Sequence, residues 1–503
     1  MLHAKHFRLI CFACALILLV VAFGLLFIHE QRYCLNVPLI SRNDINQYNE
    51  DTSLDITQLI FDGKPVPADP AKNTIYISQP ESSLSRFSNL RGSLTSVDPT
   101  WSLFFINDPS IDHLSTSVQK GTPLSLVVTC GDKYHIVNVV ITTLPIICLS
   151  GSQTHVNENQ QAVLTGSLTI WSDPEKYGYP TQTSTVQWHV RGNSSAGQPK
   201  NPWKLSLKKK DGENNHLDLL GLGADDDWIL NSLTMDDTKI REKLFFDIWN
   251  TLAASTNYNY RMSDGEYAEV IINNTYMGVY LLQRRIDAKY LQLSEDDVLL
   301  KAVYYGAASA QQAYEFVTPE QNTEEIYSLM QDVFTKSNCA SFHLHNFVDV
   351  NLMIQFASAL DNCGLKNMYH LLKHSESGYV QYLIPWDTDM SFGIGLKDGV
   401  DFCYNMNSSL GWLGKRDETV AISALHTDYD QVTCERWKSL REHLLSEEAI
   451  IQRIDELNSQ LVNSGSFTRD VTLWGFRYGE SDTVDNLKTF IRLRLDIMDD
   501  LYR

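Results

Sequence analysis

An uncharged, almost wholly apolar stretch covers residues 9–28 and precedes every other pattern in the chain. A helix of this length spans about 30 Å, the thickness of a bilayer core, which predicts a transmembrane segment. Lys5 and Arg8 lie before it, so we expect the N-terminus inside and the rest of the chain outside. The alternative is secretion after cleavage of a signal peptide, whose apolar core is usually about 7–15 residues long. The longer stretch favours an uncleaved anchor, residues 1–32, that contacts the lipid bilayer.

The remaining pattern predicts a small β module followed by a larger α+β region. Residues 33–53 are polar and predict a spacer, whereas 54–142 alternate short β-prone runs with turns, which is typical of a β-sandwich-like module. Residues 143–503 mix both periodicities, so the predicted fold class is α+β. The predicted strands are 162–171, 184–191, 202–208, 267–273 and 277–283, and the predicted helices are 238–254, 323–335, 345–361, 435–444, 446–463 and 484–502.

The charge balance limits the classes of partner. The chain has 41 basic and 61 acidic residues, which gives a net charge of −20. Binding to duplex nucleic acid needs a basic footprint, and none is visible here. The sequence therefore predicts no nucleic-acid partner.

Two acidic motifs flank a predicted β-hairpin. Asp361 and Asn367 precede the run MYHLL, and Asp387 and Asp389 follow the run YVQYLI, with a turn near 375–378. A single Asp-x-Asp more often caps a turn. Phosphotransferases, however, use this order: one Asp accepts the proton of the acceptor hydroxyl, while an Asn and a later Asp hold Mg²⁺ on the nucleotide phosphates. The order and spacing together favour that chemistry.

A polar turn, RGNSS at 191–195, follows the run TVQWHV and leads into PKNPWK. Glycine and small hydroxyl residues let backbone N–H groups approach phosphate oxygens, and a lysine on the next strand can reach the same phosphates. Read alone, the turn is more often an ordinary hairpin. Further on, Asp237 and Arg241 have the i, i+4 spacing of a helical ion pair.

These motifs together resemble the CotH kinase family, which is named for spore-coat protein H. The resemblance covers about residues 144–503 and rests on RGNSS, PKNPWKLSL, LDLLGLGADDDWILNSLTMDDTKIREKL, NNTYMGVYLLQRRID and PWDTDMSFG, in that order. It implies an exported, atypical protein-kinase-like enzyme that transfers the ATP γ-phosphate, with Mg²⁺ or Mn²⁺, to Ser or Thr of surface or coat proteins.

The resemblance also implies roles for individual residues. Asp361 is similar to the catalytic Asp, Asn367 and Asp387 to the metal ligands, and Asp389 to a second ligand or its neighbour. The residues implied to face the nucleotide are Arg191, Asn193, Ser194, Lys200, Lys204 and Gln283. Lys200 and Lys204 remain alternatives for the lysine that contacts phosphate. The family often has a basic residue where Ser206 stands, and no His-Arg-Asp precedes Asp361. A catalytically inactive kinase-like surface or coat protein is therefore the alternative function.

Overall fold

A computed structural model describes residues 33–156, 162–192, 195–303, 309–319, 324–334, 342–359, 361–362, 367–394 and 426–502. No helix within these ranges is long and apolar enough to cross a membrane. The expectation of a single-pass membrane protein is therefore corrected. The apolar stretch on which it depended, residues 9–28, lies outside the described ranges.

The N-terminal region is built on one mixed sheet of eight strands. The bounds are β1 Tyr33–Cys34, β2 Val37–Ile40, α1 Arg42–Ile45, β3 Asn49–Glu50, β4 Leu59–Phe61, β5 Lys64–Pro65, β6 Ala68–Asp69, β7 Thr74–Ser78, β8 Leu94–Ser96, β9 Trp101–Ile106, α2 Pro109–Asp112, α3 Leu114–Gln119, β10 Leu124–Cys130 and β11 Lys133–Thr142. The strand order is β1-β2-β9-β10-β11-β7-β6, with β3 added beside β11 and parallel pairing at β2–β9, β3–β11 and β7–β11. A three-stranded sheet, β5-β4-β8, shares its apolar core. The predicted sandwich is not confirmed, and the segment expected to be a spacer contributes β1, β2 and β3.

A closed barrel of seven strands follows. The bounds are β12 Ile146–Val156, β13 Ala162–Trp171, α4 Pro174–Tyr177, β14 Thr181–Val190, β15 Trp203–Lys208, β16 Leu217–Asp218, β17 Ala224–Asp225, β18 Asp227–Asn231, β19 Gly265–Ile272 and β20 Thr275–Arg284. The order β12-β13-β14-β15-β18-β20-β19 closes through parallel pairing of β12 with β19. Trp188, Leu205 and Trp228 fill the interior. Gly166 is required on β13, because a Cβ there would lie 2.0 Å from the Ser150 carbonyl oxygen.

The third region combines a four-stranded sheet with long helices. The bounds are α5 Arg241–Ala254, α6 Ala288–Leu291, β21 Val298–Ala302, α7 Ala310–Ala313, β22 Tyr314–Thr318, α8 Glu324–Phe334, α9 Leu344–Ala357, β23 Met368–Ser375, β24 Gly378–Pro385, α10 Tyr429–Glu442, α11 Glu447–Asn463, α12 Ser466–Trp474 and α13 Val484–Leu501. The sheet order is β22-β21-β23-β24.

The helices form where the apolar spacing predicts them. On α13 the residues spaced by three and four, such as Leu487, Phe490 and Ile491, are all buried. The hydroxyl of Ser446 caps α11 by accepting a hydrogen bond from the Ala449 N–H. Each predicted helix has a counterpart in the structure, and the hairpin β23–β24 turns at 376–377 as expected, whereas α12 was not predicted.

The N-terminal region packs directly against the barrel. Tyr76 stacks on Tyr276 with ring centroids 4.7 Å apart, and the buried carboxylate of Asp69 accepts a hydrogen bond of 3.1 Å from the Tyr276 N–H. Gln119, at the end of α3, donates a hydrogen bond to Asn463 of α11. Because the contacts of Tyr76 and Asp69 with Tyr276 are buried, they fix the region against the barrel.

Candidate active site

The open end of the β23–β24 hairpin brings three of the predicted residues together. The Asn367 amide donates a hydrogen bond of 2.5 Å to the Asp361 carboxylate, and the Trp386 N–H, one residue before Asp387, donates to the Asn367 carbonyl at 3.0 Å. The amide of the buried Asn362 donates to the carbonyls of Asn367 and Trp386, at 2.9 and 2.8 Å. Asn362 therefore fastens the two ends of the hairpin to the segment that carries Asp361.

Two of these residues have an unusual backbone conformation. Asn367 has φ of 51° and Asp387 has φ of 56°, both in the left-handed region. Asn and Asp adopt this region more readily than other non-glycine residues. Such conformations concentrate at functional sites, where the surrounding structure holds them in place.

Asp389 and a residue that the sequence did not reveal, Glu242, lie in the same acidic cluster. Burial raises the pKa of Asp389 well above its usual value, and the negative charges of Asp387 and Asp361 raise it further. Burial also raises the pKa of Glu242, in the first turn of α5, and Asp389 and Asp387 add to that rise. The Thr388 backbone N–H and the charge of Arg191 act in the opposite direction.

The start of α5 is anchored by a buried arginine. Arg241 forms ion pairs with Asp236 at 2.5 Å and Asp482 at 2.7 Å, and its Nε donates to the Phe392 carbonyl at 3.3 Å. The predicted pairing with Asp237 is wrong: the Asp237 carboxylate instead accepts hydrogen bonds from the backbone N–H groups of 477–479. Arg241 therefore connects the helix that carries Glu242 to the segment that follows Asp389.

Next to the acidic cluster lies a cleft of about 370 Å³. Its basic lining residues are His189, Arg191, Lys204, Arg285 and Lys301. The guanidinium carbon of Arg191 and the Lys301 ammonium lie 5.4 and 5.6 Å from the centroid of the Trp386 ring, which also lines the cleft. Burial and the charge of Arg191 lower the pKa of Lys301. Arg191, Lys204, Arg285 and Lys301 outnumber the one acid that lines the cleft, Glu315, and in a chain of net charge −20 this local excess of positive charge predicts an anionic ligand.

Strand register places Gln283 beside this lining. Lys204 pairs with Ile229 across β15 and β18, and Ile229 pairs with Gln283 across β18 and β20. Directly paired residues point to the same face of a sheet, so all three side chains leave the barrel on the side of the cleft. Gln283 is completely buried, and neither atom of its amide has a hydrogen-bond partner among the described residues.

The structure separates the two candidate lysines. Lys200 is 2% exposed, and its ammonium lies 2.5 Å from the Asp470 carboxylate and 2.5 Å from the Val279 carbonyl oxygen. Burial lowers the pKa of Lys200 to about 8, while Asp470 opposes the shift. Lys204 lines the cleft, with its ammonium 3.4 Å from the Asp227 carboxylate. The geometry therefore favours Lys204 as the lysine that faces a ligand.

Of the three residues predicted in the polar turn, the structure describes only Arg191. Arg191 directly follows β14 and lies on the cleft, whereas Asn193 and Ser194 lie outside the described residues. Sequence reasoning missed Glu242, Arg285 and Lys301. Arg285 follows the strand that contains Gln283, so the alternation along β20 was the signal that could have found it.

Comparison with known proteins identifies the family of the chain. The family model described as CotH kinase protein matches residues 188–498, more than half of the chain. The match includes every predicted site residue and both the basic cleft and the acidic cluster. None of the curated proteins matches the chain. The resemblance read from the motifs is confirmed, and the chain belongs to the CotH kinase family.

Proposed function

We propose that this protein is an ATP-dependent protein kinase that phosphorylates Ser or Thr residues, with Mg²⁺ or Mn²⁺ as cofactor. The observation that carries the proposal is that Trp386, the residue before Asp387, belongs to both halves of the site. Its ring lines the basic cleft, with the Arg191 guanidinium carbon and the Lys301 ammonium 5.4 and 5.6 Å from its centroid, and its N–H donates to the Asn367 carbonyl at 3.0 Å. Because this one residue joins the two sets, a metal on the carboxylates and phosphates on the cations would share one site.

The acidic residues fit a hard divalent cation. Asn367, Asp387 and Asp389 offer amide and carboxylate oxygens, the ligands that Mg²⁺ and Mn²⁺ prefer. A bound divalent cation would neutralise the charge that develops on the transferred phosphoryl group.

The other residues have distinct roles in this proposal. Asp361 orients the acceptor hydroxyl and accepts its proton, and the hydrogen bond from Asn367 holds the carboxylate in position. Arg191 and Lys204 bind the phosphates together with the turn that contains Asn193 and Ser194. Trp386, between two cations on the cleft, provides an aromatic surface beside them.

The buried amide of Gln283 would match a ligand that has a hydrogen-bond donor beside an acceptor. A buried amide whose two polar atoms find no partner in the described part of the chain costs stability, of the order of 1–3 kcal/mol for each group. An adenine edge presents a donor beside an acceptor and so matches an amide. We therefore propose that Gln283 contacts the nucleotide base.

The test of this function is transfer of labelled γ-phosphate from ATP to peptides whose only hydroxyl residue is Ser, Thr or Tyr. Wild-type protein with Mg²⁺ or Mn²⁺ should label the Ser or Thr peptides. The Asp361→Ala variant should bind ATP with nearly unchanged affinity but lose transfer by at least about a hundredfold, the usual contribution of a positioned general base. Equal labelling by the two proteins would refute the role of Asp361. Free phosphate without a labelled peptide would refute the kinase assignment.

A further inference from the structure

The four Arg and Lys residues that line the basic cleft differ in what neutralises them. Lys204 and Arg285 share the Asp227 carboxylate, from which they lie 3.4 and 3.3 Å away. Arg191 and Lys301, in contrast, form no ion pair and no side-chain hydrogen bond within the described part of the chain. A partly buried cation without a carboxylate is costly, so we expect the compensating anion beside these two residues.

Both of these cations lie against the same aromatic ring. The Arg191 guanidinium carbon is 5.4 Å and the Lys301 ammonium 5.6 Å from the centroid of the Trp386 ring. The ring stabilises each cation by a cation–π contact, but it does not cancel the repulsion between them. An anionic group that contacted both cations would cancel it.

Strand register places Lys301 on the wall of the cleft that the four-stranded sheet forms. Lys301 is paired directly with Glu315 on β22 and with Tyr369 on β23, and all three residues line the cleft. Glu315 carries the opposite charge, yet no ion pair joins it to Lys301 among the described residues. A structural pairing with Glu315 therefore does not account for this lysine.

The strand that carries Lys301 also leads to the acidic cluster. The Asn367 N–H donates a hydrogen bond of 3.2 Å to the carbonyl of Ala302, the neighbour of Lys301, and Trp386 directly precedes Asp387. A phosphate bound at Lys301 would thus adjoin the residues to which the proposed function assigns the metal. In phosphotransferases the metal bridges the β- and γ-phosphates, so the phosphate at Lys301 would be one of these two.

We propose that Lys301 and Arg191 together bind the β- or γ-phosphate of the nucleotide beside the Trp386 ring. The inference deepens the proposed function and rests on it for the choice of nucleotide. It adds a phosphate-binding lysine on the sheet next to the acidic cluster, opposite in sequence position to the barrel lysine Lys204. Lys301 therefore distinguishes nucleotides by their number of phosphates: it contacts ATP but not AMP.

The test is binding of ATP and of AMP to the full chain in Mg²⁺, measured by calorimetry. Lys301→Met keeps the length of the side chain but removes its charge, and it should weaken ATP binding by at least about tenfold while leaving AMP affinity unchanged. Lys208→Met is the matched control, because Lys208 is a barrel-strand lysine outside the cleft lining whose ammonium donates to Asn214 at 2.6 Å. The control should bind both nucleotides as the wild type does.

Urea unfolding of the same variants tests whether Lys301 has a structural role instead. Lys301→Met should unfold at the wild-type midpoint or above it, because repulsion between Lys301 and Arg191 has been removed. A midpoint well below that of the wild type would overturn the inference. Unchanged ATP affinity in Lys301→Met, or an equal loss of ATP and AMP affinity, would also overturn it.

Transfer of phosphate measured on the same samples separates the two proposals. A wild type that transfers phosphate, with ATP affinity independent of Lys301, would refute only the role of Lys301. ATP binding that depends on Lys301, without transfer by the wild type, would support that role and refute the kinase.

Discussion

Replacing Lys200 should destabilise the protein rather than abolish nucleotide binding directly. Its ammonium contacts Asp470 and the Val279 carbonyl at 2.5 Å each and lies 4.9 Å from the centre of the Tyr280 ring. Lys200→Met keeps the length of the side chain but removes all three polar interactions. The Asp470 carboxylate, 1% exposed, would then lack its main cation.

The size of the effect follows from what Asp470 retains. Removing one partner of a buried ion pair typically costs about 3–5 kcal/mol. The Val279 N–H still donates to Asp470 at 2.8 Å, and the Lys239 ammonium lies 3.8 Å from its other oxygen. We therefore expect a loss near the lower limit, about 3 kcal/mol in the free energy of unfolding.

The assay is urea unfolding at pH 7, followed by tryptophan fluorescence, together with ATP binding below the transition. Lys204→Met is the matched control, because Lys204 is 28% exposed on the cleft and its ion pair with Asp227 is partly solvated. Lys200→Met should lower the urea midpoint and spare ATP affinity, whereas Lys204→Met should weaken ATP binding and barely shift the midpoint. A Lys200→Met variant that loses ATP affinity at an unchanged urea midpoint would refute these roles, as would a Lys204→Met variant that lowers the midpoint and keeps its ATP affinity.

Three further predictions follow from the site. Asp387→Ala should weaken ATP binding at least about tenfold in Mg²⁺ and leave the weaker binding in EDTA unchanged, as measured by calorimetry. Asn362→Ala should lower stability by about 2 kcal/mol in urea unfolding, because the carbonyls of residues 367 and 386 lose a buried donor. Burial raises the pKa of Asp482 from 3.8 to about 6, so the folded protein keeps a proton that the unfolded chain releases. As the pH rises from about 4 to about 6, ionisation of this carboxyl should therefore lower the free energy of unfolding. The Asp482→Asn variant should not show this decrease in its urea midpoints.

The parts of the fold that local patterns determine could be predicted. The hairpin 368–385 consists of two β-prone runs, MYHLL and YVQYLI, joined by a short polar turn, and α13 has regular helical spacing, so both appeared where expected. The barrel could not be predicted, because its closure depends on the parallel pairing of β12 with β19, whose partners such as Ile146 and Glu269 are more than a hundred residues apart.

The site residues also divide into those that a local sequence pattern reveals and those that depend on contacts between distant parts of the chain. Asp361, Asn367 and Asp387 are recognisable because their order along the chain carries the information. The roles of Lys200 and Lys204 depend on Asp470, a residue 270 positions after Lys200. Glu242 is an acid in the first turn of a helix, where the helix dipole alone would explain it. Only the arrangement of α5 against the 386–394 segment distinguishes it from a surface residue.

The central claim is that the basic cleft and the acidic cluster together hold one metal–nucleotide complex. The most direct test is the affinity of the wild-type chain for ATP, measured by calorimetry with Mg²⁺ and again in EDTA. ATP binding should strengthen at least about tenfold when Mg²⁺ is present. ATP binding of equal strength in EDTA, or no binding by a folded sample, would contradict it and favour a kinase-like protein without catalytic activity.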